Sequence, residues 1–169
     1  TMREKWEQTL QLSVAYLTVA HLQEKFLFAF GDDNLFINSA LFPEENITGV
    51  IQQLQLGECI VQDSIVLAAR ISAQEASTFS AEQGLSTLKQ IEFNLPIKQL
   101  HKLWDLFQLN DFAIRADYHR VTKNRTSSPI ADSNKVIGSQ LFIEAGAKVT
   151  CSILNTETPV DSEGKVLTE

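Results

Sequence analysis

Cysteine is scarce in this sequence. Cys59 and Cys151 are the only two, neither stands in a C-x-x-C pair, and no histidine lies near either in sequence. That excludes a disulfide framework and a zinc knuckle, and two free thiols are the expectation. Long apolar runs are lacking too. No stretch approaches the ~20 residues that span a bilayer, and Arg3, Glu4, Lys5 and Glu7 make the start polar rather than signal-like. No membrane partner and a cytoplasmic location are therefore expected. Positive charge is in deficit: 14 Lys and Arg against 21 Asp and Glu give a net charge of -7. An acidic chain without a dense basic stripe repels phosphate backbones, which argues against nucleic acid as a partner. A local cluster can still hold a sugar phosphate or nucleotide. The three histidines, His21, His101 and His119, are scattered, and neither G-x-S-x-G nor H-E-x-x-H occurs.

What is present is an ordinary globular composition. The apolar fraction is 44% over 169 residues, enough for a sizeable core in one domain, or one domain with a small appendage. Residues 2–10 read as a short helix. Thr18 is a plausible N-cap for a second helix over 19–26. Gly31-Asp32-Asp33-Asn34 marks a turn, and Leu35-Phe36-Ile37 a short buried strand. Pro43 opens the next helix, with Glu44 and Glu45 at the positive end of its dipole. Its apolar face is Ile47, Val50, Ile51 and Leu54, spaced i, i+3, i+4, i+7, and Gly57 stops it. Cys59-Ile60-Val61 and Ile65 to Ala69 form a hairpin around Gln62-Asp63-Ser64, whose turn type the residues leave open. Residues 72–90 are a polar surface segment. Ile91-Glu92-Phe93 is a further strand, and one long helix is predicted from about Leu103 to Val121.

Residues 122–135 are rich in Ser, Thr, Asn and charge, the composition of a linker. From Ile137 the period changes to six: IGSQLF, IEAGAK, VTCSIL. Ile137, Ile143 and Val149 lead the hexads, and Leu141, Ala147 and Ile153 hold the fifth place. That pattern suits one triangular coil of a left-handed parallel β-helix, each leading aliphatic filling the interior. A pair of ordinary strands with accidental spacing is the alternative, and Asn155 breaks the register where Ile or Val is due.

Several segments, taken in order, carry a resemblance. They are Thr1-Met2-Arg3-Glu4-Lys5-Trp6; Asn34-Leu35-Phe36-Ile37-Asn38 running to Leu41-Phe42-Pro43; Trp104-Asp105-Leu106-Phe107 with Asn110-Asp111; Ala113-Ile114-Arg115-Ala116-Asp117; and Arg125-Thr126-Ser127-Ser128-Pro129-Ile130 leading into the hexads. Together they resemble the sugar nucleotidyltransferases that join a pyrophosphorylase-like domain to a hexapeptide β-helix. More distantly they resemble the bifunctional N-acetylglucosamine-1-phosphate uridyltransferase/glucosamine-1-phosphate acetyltransferase. The resemblance implies an α/β, nucleotide-diphospho-sugar-transferase-like (Rossmann-like) domain over residues 1–130, and a linker with the first coil of a β-helix over 131–169. It also implies that a first strand and a phosphate-binding loop precede this segment, so that Met2 is not the translation start.

The implied reaction joins a sugar 1-phosphate to a nucleoside triphosphate, giving a nucleotide-sugar and pyrophosphate, with Mg²⁺ as cofactor. Two alternatives stand beside it: a catalytically inactive sugar-nucleotide-binding module, and an acyltransferase whose chemistry lies in the β-helix. A homotrimer through that β-helix is implied. In such enzymes a Gly-Asp pair follows the strand matching Leu35-Phe36-Ile37, and the Asp holds the metal. Here Asn38-Ser39 stands there, with Ser39 where the Asp is expected, so no metal ligand is assigned. The substrate-binding candidates are Asn38 and Ser39 at a strand end, Arg70 at the end of the hairpin, and Trp104 and Asp105 at the start of the long helix. Each has a plainer reading: a helix-capping loop for Asn38 and Ser39, a solvated strand end for Arg70, a core position for Trp104, and a helix-dipole contact for Asp105. Lys123, Arg125 and Lys135 are read as solvated linker cations.

Overall fold

Helix α1 (Met2–Leu10) starts with a capping box: the Thr1 hydroxyl accepts from the Glu4 amide, and the Glu4 side chain accepts from the Thr1 backbone nitrogen. A computed structural model describes residues 1–76 and 87–157. The greater part of the predicted surface segment 72–90, and the tail beyond 157, lie outside the described residues. Contacts divide the chain into two compact units, Thr1–Phe112 and Ala113–Glu169.

In the first unit, α2 (Ala20–Gln23) is shorter than the predicted 19–26 helix, and Thr18 does not cap it. Instead the Gln23 side chain takes the Thr18 amide at 2.8 Å and donates to the Tyr16 and Phe26 carbonyls, closing the segment on itself. Strand β1 (Asp33–Ile37) follows, entered through the Asn34 side chain, which bonds to both backbone groups of Gly31. Helix α3 (Glu45–Gln53) begins two residues after Pro43. Glu44 is its N-cap residue, and the Glu44 carboxylate accepts the Lys98 amide at 2.6 Å. Ile47, Ile51 and Leu54 are fully buried, as their spacing predicts. Each contributes about 1.5–3 kcal/mol by that burial.

The hairpin is β2 (Glu58–Gln62) and β3 (Ile65–Ser72). Its loop has two residues, Asp63 and Ser64, with φ of 48° and 64°. Left-handed geometry at both is the type I′ turn, which matches the twist of the flanking strands. The register shifts between Ile60 and Val61, so that Ile60 faces Ala68 and Val61 faces Val66, and Leu67 bulges between them. The bulge puts Leu67 and Ala68 into one cluster with Ile60, while Cys59, Val61 and Ala69 form a second cluster. Strand β4 (Lys89–Glu92) runs parallel to β2, after the short helix α4 (Ala73–Ala76). The sheet order is β1-β3-β2-β4. Helices α1 and α3 supply Trp6, Ile47, Ile51 and Leu54 to the larger cluster.

This is a mixed α/β architecture. Cys59 is buried and Cys151 exposed, both free. No helix among the described residues is long and apolar enough to cross a membrane.

The predicted long helix is broken. Helix α5 (Asp105–Gln108) is a single turn, and α6 (Asn110–Thr122) restarts after Leu109. The apolar stripe expected along it, Leu103, Leu106, Phe107, Ile114, Tyr118 and Val121, does not hold it in a core: all but half-buried Tyr118 are exposed.

In the second unit, β5 (Lys135–Ile137) and β6 (Ile153–Asn155) pair in parallel, Lys135 beside Ile153 and Ile137 beside Asn155, eighteen residues apart. The stretch predicted as a linker takes part in this unit. Ser128 donates to the Ile143 carbonyl at 2.8 Å, and the Ser127 hydroxyl accepts the Ile143 amide. Asn134 donates to the Val149 carbonyl and accepts the Ser152 amide. Arg125 pairs with Glu144 at 2.5 Å and lies over the Phe142 ring, so it is not a free linker cation. Gly138 has φ 89°. A Cβ there would stand 2.4 Å from the Thr156 hydroxyl, so glycine alone fits.

Candidate functional site

The backbone leaving β1 is fixed before any ligand is considered. Asn38 donates its backbone N–H to the Leu67 carbonyl at 2.9 Å, and its carbonyl accepts the Leu41 amide. Its side-chain oxygen accepts the Ala40 amide at 3.0 Å, and its side-chain nitrogen donates to the Val66 carbonyl at 3.3 Å. This is an Asx turn that also ties to the neighbouring strand. Beyond it the chain pairs with residues 98–100: Leu41 bridges Gln99, Leu100 donates to the Ala40 carbonyl, and Phe42 to that of Lys98. The Leu41 carbonyl in turn accepts the indole N–H of buried Trp6 at 3.0 Å.

Against β1 lies an open groove of about 600 Å³. Trp6, Leu10 and Val14 line it on the helix side, and Leu35, Phe36 and Ile37 on the strand side. Tyr16, Phe28 and Phe30 complete an aromatic wall, Phe28 edge-on to Phe30 at 4.9 Å and Phe30 stacked on Phe36 at 6.2 Å. Its polar groups include Ser39, Arg3, and the Arg70–Asp33 pair. The Arg3 guanidinium lies 5.4 Å from the Tyr16 ring centre, and its Nε is buried without a hydrogen bond, 3.6 Å from Glu7.

Arg70 is not a solvated strand end, because β3 runs on to Ser72. Its Nε reaches both carboxylate oxygens of Asp33, its Nη2 reaches Asp33 at 2.6 Å, and its Nη1 donates to the Leu54 carbonyl at 2.7 Å. The hydrogen bonds from Arg70 hold the Asp33 carboxyl below its ordinary range.

The candidate residues thus fall into two places. Ser39 and Arg70 line the groove; Asn38 turns the backbone beside it but is not part of its wall. Trp104 and Asp105 lie elsewhere, at the turn that starts α5. Trp104 is 55% exposed, so the core position is ruled out for it. Asp105 accepts the His101 and Lys102 amides at 2.7 and 2.8 Å, and these backbone bonds lower its pKa. Sequence reasoning passes over Arg3, Tyr16, Phe28 and Phe30. The signals are there: Arg3 and Glu7 stand one helical turn apart, and Phe26, Phe28 and Phe30 alternate.

The Asn38-Ser39 pair does not fit Mg²⁺. The Asn38 oxygen already accepts a backbone amide, and neither side chain carries charge. Among the described residues no group of three or more His, Cys, Asp or Glu side chains is placed to hold a metal ion.

No curated protein and no solved structure matches the chain. A family described as sugar nucleotidyl transferase matches it over residues 1–126, three quarters of its length. The chain therefore belongs to the sugar nucleotidyl transferase family.

Proposed function

We propose that this protein transfers a nucleotidyl group from a nucleoside triphosphate to a sugar 1-phosphate, releasing pyrophosphate. The single observation that supports this reading most is the groove along β1, which joins an aromatic wall to a hydroxyl and a guanidinium in a chain of this family. Tyr16, Phe28 and Phe30 offer ring faces and edges to a nucleobase. Arg3 offers donors to a phosphate, and Ser39 a hydroxyl at the strand end. Arg70, already held by Asp33, shapes the end of the groove rather than supplying a free cation. Catalysis then rests on in-line positioning and charge neutralisation. Mg²⁺ enters only as the counter-ion of the triphosphate substrate.

The inactive binding-module reading has its own support. Ser39, an uncharged hydroxyl, stands where the metal-holding Asp is expected, and its neighbour Asn38 is engaged in its turn. For the second unit we propose one coil of a left-handed β-helix, read from the eighteen-residue offset of β5 and β6, which equals three hexads. In that coil the hexad leader Ile143 is buried, and Ile137 and Val149 are half-buried. Trimer formation through further coils, and acyl transfer between them, belong to the same proposal.

The test offers a panel of nucleoside triphosphates and sugar 1-phosphates, with and without Mg²⁺, and follows pyrophosphate. Release that requires one matched pair supports the transferase. Binding of a nucleotide-sugar with no release from any pair supports the binding module. Coenzyme A binding by a trimer supports the acyltransferase.

A further inference from the structure

We propose that Trp104, with Asp105 and Lys102, forms a saccharide-binding platform, on which a pyranose ring stacks against the indole while its hydroxyls donate to the Asp105 carboxylate. The proposal deepens the sugar-nucleotide reading by giving the sugar a docking place outside the β1 groove, and it takes from that reading only the choice of probe.

Three observations carry it. Trp104 is 55% exposed at the entry to α5, whereas Trp6 is 3% exposed and hydrogen-bonded in the core. The apolar face of an exposed indole suits the C–H face of a sugar ring. Asp105 is locked in place because its Oδ2 accepts two backbone amides. Its other oxygen is an ionised acceptor on the same short turn, and charge-assisted bonds from hydroxyls are the stronger kind. The Lys102 ammonium lies over one face of the Trp104 ring, 5.0 Å from its centre, which restrains the ring and puts a cation next to the stacking position for a sugar phosphate. An apolar face bordered by both signs of charge within four residues is the chemistry of a polar, ring-shaped ligand.

The test is acrylamide quenching of tryptophan fluorescence in the full chain, with no nucleotide present. Glucose, α-D-glucose 1-phosphate and inorganic phosphate are the probes, each to about 10 mM, the range expected of a shallow site. The exposed Trp104 component identifies itself by its loss in Trp104→Ala. Glucose and glucose 1-phosphate are expected to reduce quenching of that component about twofold or more. Inorganic phosphate alone is expected to leave it unchanged. Asp105→Asn keeps an oxygen for the two amides and removes the charge, so it is expected to weaken both sugars about fivefold with unchanged circular dichroism.

No protection by either sugar overturns the proposal. Equal protection by phosphate overturns it in favour of a simple anion contact at Lys102. Protection that grows with protein concentration and without sugar overturns it in favour of a protein contact over Leu103 and Phe107. Because no triphosphate is present, each of these results leaves the transferase reading standing or falling on its own assay.

Discussion

The side chain of Asn38 reaches across to Val66, its amide nitrogen donating to the Val66 carbonyl at 3.3 Å. Its oxygen meanwhile closes a turn onto Ala40. Asn38→Asp therefore keeps the turn but sets a carboxylate oxygen against a carbonyl. The expected loss is about 1 kcal/mol, a fall in Tm of roughly 2–4 °C, with no gain in Mg²⁺-dependent activity. Calorimetry and a Mg²⁺ titration check it. A large Mg²⁺-dependent gain in rate would show that a carboxylate next to Ser39 completes a metal site.

Trp6 joins α1 to the turn after β1 through its bond to the Leu41 carbonyl. Trp6→Phe leaves that buried carbonyl without its donor and opens a small void. A loss of about 2–4 kcal/mol is expected by denaturant titration. A loss near zero would mean that water replaces the indole N–H.

Arg70 and Asp33 meet through three hydrogen bonds, but the side chains remain 35% and 48% exposed. Exposure limits the value of the pair. A double-mutant cycle of Arg70→Ala and Asp33→Ala is expected to give a coupling of about 1 kcal/mol or less. Arg70→Ala alone should cost more than Asp33→Ala alone, because it also strips the Leu54 carbonyl.

Five carboxyls have lowered pKa values: Asp33 by hydrogen bonds from Arg70, Glu58 by its bond to Lys89, Asp105 by two backbone amides, Glu4 by its bond from the N-terminal ammonium, and Glu75 by bonds from Ser72. A lowered folded-state pKa means that the unfolded chain binds protons first as pH falls. Their stabilisation is thus complete above the ordinary carboxylate range, about pH 4–5, and is lost as pH drops below it. A stability–pH curve that is flat from pH 7 to 5 and falls below about pH 4 is expected.

Gly138 closes the eighteen-residue return by letting the chain pass the Thr156 hydroxyl. Gly138→Ala combines a clash with a left-handed φ, a cost of about 1–3 kcal/mol. Hydrogen exchange is the readout, since Lys135 donates to Ser152 and Thr156 to Ile137 across the closure. Faster exchange at both amides is expected, with Trp6 and the first unit unaffected. Unchanged exchange would show that the parallel pairing does not depend on this glycine.

Local pattern is legible in the sequence wherever burial enforces it. The face of Ile47, Ile51 and Leu54, the hairpin, and the first helix all follow from spacing and residue type. The α/β class and the sugar nucleotidyl transferase family are legible too, the latter from short motifs in order. The bulge at Leu67 is not legible, because a shift of one residue depends on cross-strand packing. The break at Leu109 is hidden by an apolar stripe that looks helical but stays largely exposed. Ser39 and Arg70 come together in one groove, yet its aromatic wall is drawn from segments distant in sequence. The alternation of Phe26, Phe28 and Phe30 is visible in the sequence, but that Tyr16, Phe28 and Phe30 share one wall is not.

The measurement that bears most directly on the proposed function is product analysis with a radiolabelled sugar 1-phosphate and each nucleoside triphosphate. Transfer gives a labelled nucleotide-sugar and pyrophosphate in equal amounts, for one matched pair, and Tyr16→Ala or Arg3→Ala reduces the rate at least about tenfold with the fold intact. If the folded protein consumes no triphosphate with any sugar, or releases only inorganic phosphate with no labelled nucleotide-sugar, nucleotidyl transfer at the β1 groove is contradicted.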